Sequence, residues 1–158
     1  MKILTAYFSY TGHTRGIAQQ VQKLVDGDLF EIRPTEAYSG DYGTTERQGR
    51  KETCNGYRPT LAEQAGNLAS YDVILLGTPN WLNTVAPPMA TFLADNDFSG
   101  KKIAIFCTNG GGGLGHVAAD VKSLAHGTQM LESLNLYEDG GADAAKKIEA
   151  WLKKNGLN

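Results

Sequence analysis

The sequence predicts a doubly wound α/β fold: a five-stranded parallel sheet with helices on both faces. Continuous apolar runs occur at Ile3 to Phe8, Asp72 to Gly77 and Lys102 to Cys107, the pattern of strands covered on both sides. Between and after them, Ile17, Val21, Leu24 and Val25, and later Ile148, Trp151 and Leu152, recur at helical spacing. Strand and helix patterns alternate five times along 158 residues, a length that suits one domain spanning 1 to 158.

The first strand passes through Ser9 to Thr14 into a helix closed by Asp26-Gly27-Asp28, and a short strand follows from Leu29 to Arg33. From Pro34 to Pro59 the chain is polar and rich in glycine and tyrosine, too long for an idle loop. It either contains a short helix around Thr44 to Thr53 or covers another part of the molecule. Leu61 to Leu68 reads as a short helix, Asp72 to Gly77 as the third strand, and Val85 to Leu93 as a helix with Pro87 near its start. Lys102 to Cys107 is the fourth strand, the glycine run 110 to 113 follows it, and a helix covers about Leu114 to Leu124. Thr128 to Leu136 reads as a weaker edge strand. The last helix, roughly Ala142 to Lys154, ends at Gly156 and turns Trp151 toward the core.

A formal charge of −2 leaves no basic footprint for nucleic acid. Cys54 and Cys107 are the only cysteines and form no CxxC, so neither a disulfide framework nor a zinc site is indicated. The N-terminus enters a strand directly, without a signal-peptide layout, and no apolar run has the length of a membrane span; a cytoplasmic protein with no membrane partner is expected.

In a doubly wound sheet, ligands lie outside the carboxyl ends of the strands, where strand order reverses. Three loops should meet there. Ser9-Tyr10-Thr11-Gly12-His13-Thr14 sets three aliphatic hydroxyls beside the unpaired N–H groups of a helix start, a setting for a phosphate. A helix N-terminus favours an anion by only roughly 0.3–1 kcal/mol, so several neutral donors must act together. Thr78-Pro79-Asn80-Trp81-Leu82-Asn83-Thr84 places a large aromatic at a strand end. Thr108-Asn109-Gly110-Gly111-Gly112-Gly113 offers bare backbone to a flat ligand. Together they suit a phosphorylated planar ring.

The first loop matches the S/T-x-T-G-x-T phosphate signature of the flavodoxins at every fixed position, and the chain resembles that family over nearly its whole length. It is most similar to a bacterial subgroup with P-x-W after the third strand, here Pro79-Asn80-Trp81, and a glycine-rich segment after the fourth, here Thr108 to Gly113. The resemblance implies strand order 2-1-3-4-5 and bound FMN. By it, Ser9, Thr11, Gly12, His13 and Thr14 hold the phosphate, while residues 78 to 84 and 108 to 113 flank the isoalloxazine. Relatives often show an aromatic and then glycine after the motif tryptophan, where this chain has Leu82 and Asn83. A peptide in this loop is expected to turn its carbonyl toward flavin N5 on one-electron reduction, which favours a residue able to adopt positive φ; Asn83 is such a residue. Electron-transfer flavodoxins usually cover the far ring face with a tyrosine after the fourth strand, and that loop has no aromatic here.

The function implied is electron transfer through FMN to redox partner proteins or a small-molecule acceptor, with no side chain acting as acid, base or nucleophile. The alternative is an NAD(P)H-dependent quinone or flavin reductase using an open ring face, and a third is a regulatory binding module. Gly110, Gly112 and Gly115 also satisfy G-x-G-x-x-G, with Glu132 downstream as a ribose contact, but that fingerprint belongs on the first strand of a dinucleotide fold. His116 and His126 have no ligand partners at metal spacing and are expected at the surface.

Overall fold

A computed structural model describes all 158 residues, Met1–Asn158. Strands β1 (Ile3–Tyr7), β2 (Asp28–Glu31), β3 (Val73–Pro79), β4 (Lys102–Asn109) and β5 (Gln129–Met130) pair in the order β2-β1-β3-β4-β5. Strand β6 (Leu134–Tyr137) also pairs with β4, beyond β5, and every ladder is parallel. The doubly wound fold with order 2-1-3-4-5 is therefore the observed one. Helices α1 (His13–Val25), α2 (Tyr42–Asn55), α3 (Pro87–Asp95), α4 (Val117–Leu124) and α5 (Ala144–Lys154) complete it.

Alternation along the strands separates two cores. Val73 and Leu75 join Ile17, Val21, Ile148, Trp151 and Leu152 beneath α1 and α5. Ile74 and Leu76 point the other way, into a cluster with Met89, Phe92, Val117 and Val121 of α3 and α4. Because β1 and β3 lie side by side while β2 lies outside β1, the chain reverses direction across the sheet at the carboxyl ends of β1 and β3.

Two expected elements differ. Thr128 to Leu136 is not one strand but two, β5 and β6, interrupted at Glu132. There the carbonyl of Glu132 accepts from Trp151 Nε1 at 2.6 Å and Asn155 Nδ2 at 3.1 Å, and its N–H donates to Asn155 Oδ1 at 2.9 Å. Side chains from the end of α5 thus replace the strand's partners. Glu132 pairs with Lys154 rather than standing as a strand residue, which places it in no ribose-binding role. Trp151 is 5% exposed and packs edge-on against Phe106, a core residue as expected.

Leu61 to Leu68 is not a helix. Leu61 forms an antiparallel bridge with Pro34, flanked by Thr35 N–H to Thr60 O at 2.8 Å and Ala62 N–H to Arg33 O at 2.8 Å. Only a 3-10 turn, Leu68–Ser70, follows, capped by Asn67. Gly66-Asn67, weak helix formers, sit where a helix would have to continue. The polar stretch 34 to 59 does contain a helix, and one longer than expected: Tyr42–Asn55. It also covers something, as the site geometry makes plain.

Candidate functional site

A cavity of about 290 Å³ opens at the carboxyl edge of the sheet. The three loops expected to converge do so, contributing Thr11 and His13 from the first, Pro79, Asn80, Trp81 and Leu82 from the second, and Thr108, Asn109 and Gly110 from the third. Residues that the loop reading left out line it as well: Tyr10, Glu138, and Tyr42, Thr45 and Glu46 of α2.

The first loop is built to leave backbone donors free. Gly12 takes φ 96°, a left-handed conformation that glycine adopts without steric cost, and it caps α1 without a side chain of its own. Ser9 Oγ substitutes for the missing cap, accepting the N–H groups of Gly12 and Arg15, each at 3.2 Å. The N–H groups of Tyr10, Thr11, His13 and Thr14 find no acceptor within the protein. Four unpaired donors around a helix start form a cradle for an anion. Arg15 does not contribute charge, since its guanidinium is held by Glu31 at 2.5 Å on the outer side. An anion here is bound without a lysine or arginine.

The hydroxyls divide into two kinds. Thr11 is exposed and its hydroxyl is free. Thr14 is 2% exposed and its Oγ1 lies 2.7 Å from that of Thr108, itself buried, so this pair pins the first loop to the third. Thr78 is likewise fully buried; its Oγ1 donates to Pro79 O at 3.0 Å and accepts from Ala86 N–H at 3.3 Å, joining β3 to the start of α3 outside the cavity. Thr84 faces a different hollow and hydrogen-bonds Asp120 of α4.

The second loop closes as a tight turn. Trp81 N–H donates to Thr84 O at 2.9 Å and Thr84 N–H to Trp81 O at 3.1 Å, with Leu82 at φ 51° and Asn83 at φ 72° between them. Positive φ at both central residues is the I′ pattern, for which asparagine is well suited and leucine is not. The sequence pointed to Asn83 for this conformation; Leu82 shares it. Asn80 holds the arrangement, donating from Nδ2 to Gly113 O at 2.8 Å and accepting Asn83 N–H at 2.8 Å. Asn109 holds the third loop, accepting Gly111 N–H at 3.0 Å and donating to Leu136 O at 3.1 Å. Gly111 and Gly113 shape that loop with positive φ; Gly110 lines the cavity, and the exposed Gly111 and Gly112 continue the loop beyond it. Glu138, beside Asn109, is a further non-glycine residue at positive φ, 51°. Backbone conformations uncommon for side-chain-bearing residues thus gather on this cavity's loops.

Trp81 lines the cavity and belongs to the core as well. It presents an edge to the cavity, but it is 8% exposed and sits within an aromatic cluster, 6.0 Å from Phe8, 5.8 Å from Tyr10 and 5.2 Å from Tyr38. Helix α2 covers its remaining side. Gly49 lies so near that a Cβ there would stand 2.5 Å from Trp81 Nε1, so only glycine lets the helix close on the indole. The helix is fastened at both ends of this contact: Tyr10 Oη donates to Ser39 O at 2.7 Å beside Thr45, and Tyr38 Oη donates to Glu52 at 2.8 Å. Burial first, and then the Glu52 carboxylate, push the Tyr38 hydroxyl far above its ordinary pKa, so it stays a donor. Asp41 caps the helix through Thr44 N–H at 2.8 Å, and its hydrogen bonds to Thr44 hold the carboxyl below the usual carboxylate range.

The charge distribution is lopsided. Free N–H groups crowd one part of the cavity, while Glu46 and Glu138 are its only formal charges and no lysine or arginine lines it. A ligand with an anionic end and a neutral flat end fits only with the anion at the helix start. Cys107 lies buried behind the third loop, its thiol pushed up to about 12 by burial, and takes no part. His116 and His126 are exposed, as expected. No helix is long and apolar enough to cross a membrane.

The chain matches the family model of flavodoxins over residues 2–155. Among solved structures it is similar to a candidate flavoprotein of Bacteroides uniformis, with 31% identity, TM-score 0.85, and coverage of 96% of this chain and 97% of that one. A second, from Bacteroides eggerthii, has 28% identity and TM-score 0.86, covering 99% of both chains. A Lactobacillus acidophilus flavoprotein solved in complex with FMN shares the fold at 22% identity and TM-score 0.73, covering 95% of this chain and 97% of that one.

Proposed function

Given that this chain belongs to the flavodoxin family, we infer that it binds FMN non-covalently and transfers electrons through it. The observation that carries the reading is the set of unpaired N–H groups at Tyr10, Thr11 and His13, on residues that line the same cavity as Leu82 and Gly110, with that of Thr14 next in the chain. Those donors and the free Thr11 hydroxyl would hold the phosphate, and the turn at Leu82-Asn83 with the Asn109-Gly110 segment would flank the ring. The FMN bound by the Lactobacillus acidophilus relative supports the choice of cofactor. Bound FMN supplies one- and two-electron redox chemistry.

The protein's own part is to bind, orient and exclude. The helix start takes the anionic end, Glu46 and Glu138 disfavour added negative charge at the other, and no side chain in the cavity is arranged as nucleophile and base. Electron transfer to redox proteins or a small acceptor needs nothing more of the side chains than this.

The purified protein should be yellow or should quench added FMN fluorescence on binding. Thr11→Ala should weaken FMN binding several-fold and leave riboflavin binding nearly unchanged, as measured by fluorescence titration. A protein that is colourless and fails to quench FMN would end the flavin reading, and equal losses for both ligands would end the phosphate assignment.

A further inference from the structure

Three aromatic side chains line the cavity: Tyr10, Trp81 and Tyr42. Two of them are already committed. Tyr10 is tied through its hydroxyl to Ser39 O, and Trp81 is wedged among Phe8, Tyr10 and Tyr38 beneath Gly49. Tyr42 is different: it is 70% exposed, its hydroxyl makes no hydrogen bond, and it stands at the first turn of α2. Thr45 and Glu46, which also line the cavity, lie three and four residues on, so one face of α2 is aimed at it. The loop after β4, by contrast, contributes Thr108, Asn109 and Gly110, with no aromatic.

We propose that Tyr42 is the aromatic wall for the flat part of the ligand, delivered by α2 from the stretch after β2. This rests on the flavin reading above. An exposed, unanchored tyrosine on an anchored helix costs little to move onto a ring, and it covers apolar ligand surface once there. The anchoring comes from Asp41, Ser39 with Tyr10, and the Gly49 contact, which fix the helix while leaving the Tyr42 side chain free. A ring covered this way exposes its edge rather than a face, which suits electron exchange with a docked partner.

The test compares Tyr42→Ala and Tyr42→Phe with the unaltered protein, using FMN and riboflavin as probes and iodide as a collisional quencher. Tyr42→Ala should weaken both flavins by the same factor, about three- to ten-fold. The bound flavin should become brighter and more readily quenched by iodide, with the melting temperature unchanged. Tyr42→Phe should restore affinity and low brightness, which a purely structural tyrosine hydroxyl would not allow. An unaltered protein that binds flavin while Tyr42→Ala matches it in affinity, brightness and iodide access overturns the role of Tyr42 alone. An unaltered protein that binds neither flavin overturns the parent reading, and this one with it.

Discussion

At the end of the cavity formed by Ser9–Thr14, every donor comes from six consecutive residues, fixed by one glycine and one serine cap. The opposite end draws on the Trp81–Thr84 turn, the Asn109–Gly110 segment and α2, elements brought together only when the sheet and its covering helix have formed. A local cradle depends on backbone conformation and tolerates change elsewhere. A wall assembled from distant pieces depends on how those pieces pack, so a substitution remote from the ligand can disable it.

Gly49→Val should break the comparison most sharply. Its side chain would collide with Trp81, and overpacking of this kind costs about 1–3 kcal/mol. Thermal unfolding should report the loss, and riboflavin and FMN should both bind about three- to ten-fold more weakly, as in Tyr42→Ala, because α2 can no longer seat Tyr42. Retained riboflavin affinity in a destabilised Gly49→Val protein would show the two ends to be less distinct than their construction implies.

Thr14→Val tests the other end. Removing the hydroxyl leaves buried Thr108 without its partner, at a cost of about 1–3 kcal/mol, seen as a melting temperature several degrees lower. Since the Thr14 N–H is untouched, the preference for FMN over riboflavin should fall less than in Thr11→Ala. A larger fall would mean that the buried hydroxyl reaches the phosphate after all.

The smallest effect concerns Asp41. Its carboxyl has a folded pKa below the unfolded value because hydrogen bonds to Thr44 favour the charged form. The cap's contribution is therefore present above the unfolded pKa and lost as pH falls through the depressed folded value. The protection of amides in the first turn of α2, taken relative to their intrinsic exchange at each pH, should fall in acid below about pH 4. Asp41→Ala should show the lower protection already at neutral pH and lose that pH dependence; an unaltered profile would remove Asp41 from the anchoring of α2.

What the sequence reveals follows the same division. The Ser9–Thr14 loop and the parallel sheet covered on both faces were legible because they depend on short-range pattern, a hydroxyl-glycine loop after an apolar strand and buried strands alternating with helices, whereas the strand order was implied by the family resemblance. Even there, spacing alone could not tell the free Thr11 hydroxyl from the Thr14 hydroxyl spent on Thr108, a residue far along the chain. Tyr42 was illegible because α2 has few apolar residues; it is held by Gly49 on an indole and by tyrosine hydroxyls rather than by an amphipathic face. That Trp81 is buried by a helix while also lining the cavity was illegible because α2 could not be placed from sequence. The split edge strand escaped notice for a related reason, since its interruption is imposed by Trp151 and Asn155 from the last helix.

That interruption has a consequence for how the molecule behaves in a crowd. A sheet edge is a template on which another chain can add a strand. Here the outer edge offers two residues at β5, then a residue whose N–H and carbonyl are already taken, then four at β6. The opposite edge, β2, is only four residues long. One side is short and the other is broken, so the clasp of the C-terminal helix on Glu132 limits strand addition at the outer edge. Replacing Asn155 alone would leave the Glu132 N–H without its acceptor and weaken the break between β5 and β6.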